Sequence, residues 1–128
     1  MMMYEVRIKA HFCAAHQVPL PTGTLEPLHG HDWEAEAVFR GPQLDASGIL
    51  IDFTTAQKAL RQVLVPLEHA VLNGSPFMAG LNPTAELVAK RIFQRLAEAM
   101  GHPATLAAVY VREAPGCVAG YTAESPQS

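Results

Sequence analysis

His29 and His31, separated only by Gly30 and preceded by Glu26, form the densest group of chemically capable side chains in this sequence. On a β-strand successive side chains point to opposite faces, so the two imidazoles would share one face. Two neutral imidazoles converging from a strand are a geometry that a zinc ion uses. Glu26 lies in a proline-bracketed stretch just ahead, where a carboxylate reaches over that face. Spacing alone leaves two readings open, a metal pair or two loop histidines. A catalytic zinc needs a third protein ligand and one open position. His16 is the natural third ligand if its strand and that of His29 form a hairpin, because both tips then meet at one end.

Other residues carry weaker signals. Glu68 and His69 set a carboxylate beside an imidazole, the types that move protons near neutral pH. Adjacent residues need not touch, and a solvated turn after a helix is the simpler local reading. Glu113 alternates with Val109 and Val111 and needs a partner if it is buried with them. It is either an edge-strand glutamate facing water or an acceptor of two parallel hydrogen bonds from a guanidine-like edge, an arginine or a 2-amino-4-oxo heterocycle. Cys13 reads as a small packing residue, and Cys117 has no neighbour that would activate it. His11 and His102 read as surface residues.

The elements that must position these groups follow from periodicity. Val6, Ile8, Ala10 and Phe12 alternate with Arg7, Lys9 and His11, predicting a half-buried strand that runs into His16. Pro19, Pro21, Gly23 and Pro27 mark a loop. A second strand is expected from His29 to Arg40, with His31, Trp33, Ala35, Ala37 and Phe39 on one face. Asp52 or Thr54 can cap a helix over 55–65 that Pro66 stops. A second helix is expected to open at Asn82-Pro83-Thr84, with Pro83 in its first turn and Leu87, Val88, Ile92, Leu96 and Ala99 inward. Thr105 to Ala114 alternates again, with Leu106, Ala108 and Tyr110 opposite Val109, Val111 and Glu113. Cys117 to Tyr121 reads as a last strand. The order β-β-α-α-β-β predicts an α+β domain over 1–124, an antiparallel sheet with two helices on one side, and a loose tail at 125–128.

Composition limits the partners. The 128 residues suffice for one core without staples. Charged residues make up 16%, below the usual quarter, which points to surface hidden between copies of the chain. A net charge of -3 without a basic stripe argues against nucleic acid. There is no apolar run of membrane-spanning length, and the first residues lack signal-peptide regions, so a cytoplasmic location is expected. Two cysteines make no disulfide framework.

Taken together, Phe12-Cys13-Ala14-Ala15-His16, Leu28-His29-Gly30-His31, Ile51-Asp52-Phe53, Leu67-Glu68-His69 with Leu72-Asn73, Asn82-Pro83-Thr84-Ala85-Glu86 and Val111-Arg112-Glu113 occur in an order that resembles the 6-pyruvoyltetrahydropterin and 6-carboxytetrahydropterin synthase family. The resemblance implies a tunnelling fold whose identical chains close a β-barrel, usually as a hexamer of two stacked trimers, with active sites between subunits. It implies zinc on His16, His29 and His31, proton transfer by His69 beside Glu68, a pterin substrate anchored by Glu113, and a pterin contact from Thr84. Two positions depart from the synthase pattern. Leu25 stands where the catalytic cysteine is expected, and the usual Asp-His pair is Glu68-His69. Glu26 instead gives Glu-x-x-His-Gly-His, similar to a branch in which glutamate replaces the cysteine. That branch converts 7,8-dihydroneopterin triphosphate to 6-hydroxymethyl-7,8-dihydropterin for folate synthesis. The alternatives are 6-carboxytetrahydropterin or 6-pyruvoyltetrahydropterin synthase activity, and a non-catalytic pterin- or zinc-binding homologue.

Overall fold

The first two alternating stretches form β1, Tyr4–His16, and β2, His29–Gly41, in a computed structural model that describes residues 2–123. They pair antiparallel in unbroken register, from Tyr4 opposite Gly41 to His16 opposite His29. Hydrophobic pattern sets that register. Ile8, Ala10, Phe12 and Ala14 are buried together with Trp33, Ala35, Ala37 and Phe39, and a slip by one residue would turn one strand's whole set to water.

Two helices cover this apolar face. α1, Phe53–Leu64, starts at Asp52, whose carboxylate accepts the Thr55 N–H at 2.9 Å. It tightens into a single 3₁₀ turn over Val65–Leu67, where Pro66 ends it. α2, Ala85–Ala99, is capped by the Thr84 hydroxyl, which accepts from the Leu87 N–H at 3.2 Å. Gly101, at a φ of 75°, then turns the chain away. Ala56, Leu60, Val63 and Leu64 of α1 and Val88, Ala89, Ile92 and Leu96 of α2 are buried against the sheet. Each fully buried large aliphatic side chain is worth about 1.5–3 kcal/mol relative to exposure.

β4, Leu106–Ala114, pairs antiparallel with β2, and β5, Cys117–Thr122, pairs antiparallel with β4. The chain thus has the expected order with one addition. β3, Ala70–Val71, pairs parallel to β1 and makes the sheet mixed, in the order β3-β1-β2-β4-β5. Two residues are too short for alternation to reveal.

Three local expectations change. Pro83 precedes the Thr84 cap instead of occupying the first helical turn. Ala99 is exposed, whereas Ala89 takes a core position. Leu106 joins the core opposite Phe39, because a register shift at Val38/Phe39 breaks the alternation that would have put it with Ala108.

The face away from the helices is charged. Arg40 bonds Glu5 at 2.7 Å, Arg7 bonds Glu36 at 3.1 Å, and Arg112 and Lys9 approach Glu34 at 3.6 and 3.7 Å. The Arg40 guanidinium, then that of Arg7, holds the Glu5 carboxyl below its ordinary value. No helix among the described residues is long and apolar enough to cross a membrane.

Candidate metal centre and active site

The hairpin register brings His16 level with His29, and His31 lies two residues along on the same face. Ligand atoms of His16, His29, His31 and Glu113 all fall within 4.8 Å of one another. The ring centroids of the three histidines are 4.5 to 5.5 Å apart. Two strand ends and β4 thus supply four potential ligands without help from a flexible segment.

Hydrogen bonds fix which nitrogens face inward. His16 Nδ1 is 2.7 Å from the Pro83 carbonyl, and His29 Nδ1 is 2.8 Å from the Pro27 carbonyl. A carbonyl only accepts, so each Nδ1 carries the proton and each neutral ring presents an Nε2 lone pair. His16 Nε2 lies 2.5 Å from Glu113 Oε1 but is not aligned for a hydrogen bond, leaving this buried nitrogen without a partner. The same carboxylate oxygen is 3.3 Å from His31 Nε2. An imidazole lone pair facing a carboxylate is repulsive unless a proton or a metal ion lies between them. Three imidazoles with outer carbonyl partners and a nearby carboxylate fit zinc on chemical grounds.

Trp33 forms the floor of this group. It is fully buried, its indole N–H donates to the Ala14 carbonyl at 3.1 Å, and its ring meets His16 edge-on at 4.8 Å. The sequence marks Trp33 only as an apolar-face residue, although its position two after His31 places it there. Pro83 is the other missed contributor: its carbonyl, at the start of α2, orients His16 from 67 residues away.

Glu26 sits at the edge of the cluster, with Oε1 3.7 Å from His29 Nε2 and accepting the Val18 N–H at 3.2 Å. Leu25 beside it is exposed. Neither cysteine belongs to the four-residue cluster. Cys13 faces Asp32, its Sγ 2.8 Å from the carboxylate, which pushes the thiol above its ordinary value and disfavours a thiolate.

Glu68 and His69 stand apart. The Glu68 carboxylate accepts the Cys13 N–H at 3.0 Å and lies 3.6 Å from His69 Nε2. The His69 N–H donates to the Cys13 carbonyl at 2.6 Å, and its φ of 57° turns the imidazole outward. His69 and His31 line one open cavity of about 430 Å³, together with Cys13 and Asp32. Thr84 spends its hydroxyl on capping α2, immediately after the carbonyl that holds His16.

A protein called 6-carboxy-5,6,7,8-tetrahydropterin synthase from Bacillus subtilis is 29% identical over 120 residues, covering 88% of this chain and 80% of that one. The fold is similar to that of Caenorhabditis elegans 6-pyruvoyl tetrahydropterin synthase, with a TM-score of 0.82 at 24% identity over 97% of this chain and 98% of that one. It is also similar to a Plasmodium vivax 6-pyruvoyltetrahydropterin synthase whose catalytic glutamate is replaced by alanine, with a TM-score of 0.76 at 18% identity over 94% and 98% of the two chains. The family model described as 6-pyruvoyl tetrahydropterin synthase matches residues 5–124, nearly the whole sequence, and so the chain belongs to that family.

Proposed function

We propose that this protein cleaves the side chain of 7,8-dihydroneopterin triphosphate to give 6-hydroxymethyl-7,8-dihydropterin. The observation that carries the reading is Glu26, a carboxylate at the edge of the histidine cluster, next to Leu25, where a thiol is missing. The Plasmodium vivax relative also uses a glutamate as catalytic residue.

His16, His29 and His31 would hold zinc. When bound there, the ion supplies Lewis acidity towards side-chain hydroxyl oxygens. Glu113 accepts the 2-amino edge of the pterin and fixes the ring, and Thr84 flanks it. Glu26 takes the proton of the hydroxyl on the second side-chain carbon. The bond between the first and second side-chain carbons breaks, its electrons pass into the pterin ring, and a two-carbon aldehyde leaves with the triphosphate. His69, oriented by Glu68, returns a proton to the first carbon and completes the hydroxymethyl group.

His69 lies outside the cluster, which supports a site shared between copies. Among the described residues β1 pairs with β3 only at Ala14 and Ala15 and is met further along by the Gln57 side chain at the Lys9 carbonyl, so most of that edge carries no strand, and β5 forms the opposite edge of the sheet. Two open edges on one twisted sheet favour closure of several copies into a barrel with the charged face inside. We place one domain over 1–124, a hexamer built as a dimer of trimers, and a cytoplasmic location in the same proposal.

A second reading, 6-carboxytetrahydropterin synthesis, is favoured by the name of the Bacillus subtilis relative. Incubating the zinc-loaded protein with dihydroneopterin triphosphate and weighing the products separates the two. Formation of 6-hydroxymethyl-7,8-dihydropterin is expected. A 6-carboxy product would establish the second reading, and no turnover would overturn both.

A further inference from the structure

We infer that Asn73 and Gln17 are positioning residues for Glu26, an inference that rests on the catalytic reading of that carboxylate. Beyond β3 the chain still follows β1, since the Leu72 N–H donates to the Ala15 carbonyl at 2.8 Å. Asn73 continues the pairing with its side chain. Its carboxamide oxygen accepts the Gln17 N–H at 2.9 Å, and its amide nitrogen donates to the Gln17 carbonyl at 2.8 Å. The carboxamide so imitates a neighbouring strand's peptide and grips both backbone polar groups of Gln17.

Among the described residues, the hydrogen bonds that Glu26 makes all run to this gripped residue and the next. Gln17 Nε2 donates to the Glu26 carbonyl at 3.0 Å, and the Val18 N–H donates to Glu26 Oε1 at 3.2 Å. The Glu26 N–H in turn donates to the Val18 carbonyl at 3.1 Å. The loop between them folds back on itself, with Pro19 bridged to Leu25 and the Leu20 N–H donating to the Thr24 carbonyl at 2.7 Å, and it joins the sheet through Gln17 and Val18 at the end of β1. Asn73 lies four residues after His69, so one clamp relates both proposed proton-transfer groups to the end of β1. Misplacement of a catalytic group by an ångström is costly, because the reaction depends on near-attack geometry.

The test is a double-mutant cycle with turnover of dihydroneopterin triphosphate as the readout. Gln17→Met keeps the arm's length but removes its donor. Asn73→Ala removes the clamp, and if it fails to fold, Gln17→Met carries the test alone. The expected result is a roughly tenfold loss of kcat for Gln17→Met with KM changed less than about twofold. In a Glu26→Ala background the same substitution should change kcat by less than about twofold, since the group it positions is gone. An equal loss in both backgrounds, or no loss in the parent, overturns the inference. Parent-level turnover by Glu26→Ala itself instead overturns the proposed function, so the two failures are distinct.

Discussion

The histidine cluster and the Glu68-His69 segment hold the same residue types but are built in opposite ways. His16 is 1% exposed, backed by Trp33 and tied to the Pro83 carbonyl, and it stands on a strand whose register is fixed along its whole length. The His69 side chain is 81% exposed and hangs from a positive-φ residue at the rim of the sheet. The rigid group is organised to hold something before substrate arrives, as a ligand set must be. The exposed imidazole lacks such support, and the proposed proton transfer by it would use that freedom.

That contrast can be broken at either end. His31→Ala should reduce zinc content after dialysis to background and lower turnover by roughly a hundredfold or more, because a proposed ligand is lost. Full retention of zinc would show that the rigid cluster is not the metal centre. A smaller effect is expected at the exposed end, where His69→Ala should lower turnover roughly a hundredfold at most with zinc content unchanged. Mixed oligomers of His69→Ala and Glu26→Ala copies should regain activity if the imidazole serves a neighbouring copy. No recovery would put His69 to work in its own chain, across the cavity it shares with His31.

Thr84→Ala tests the link between α2 and the cluster. Loss of the cap should cost about 1 kcal/mol in urea unfolding. A raised KM in the same variant would show that Thr84 also meets the substrate. The smallest effect belongs to Asp52, far from both groups. The Thr55 N–H and then its hydroxyl hold the Asp52 carboxyl below its ordinary value. A depressed carboxyl contributes stability above the unfolded value and loses it as pH falls through the folded one. The unfolding midpoint of the parent should therefore converge on that of Asp52→Asn below roughly pH 4 and differ from it by a constant amount near neutrality.

Much of this architecture is legible residue by residue. Period-two alternation marks β1, β2 and β4, the Asp52 and Thr84 caps mark both helix starts, and Gly30 between two histidines puts them on one face. These are local properties, decided within a few residues by side-chain direction and backbone hydrogen bonding. Leu106 shows the limit, since a bulge in the pairing with β2 reverses its face and only the partner strand reveals it.

Glu26, His29 and His31 were decided by the sequence itself as a carboxylate beside two imidazoles on one strand face. What tertiary structure decided is what surrounds them. Pro83 reaches His16 across 67 residues and Asn73 grips Gln17 across 56, while Glu113 arrives from β4 to face an imidazole lone pair. Periodicity tells a side chain which face to take, but not which distant carbonyl or carboxamide will meet it there. That is set by strand order and register, which only the packed core fixes.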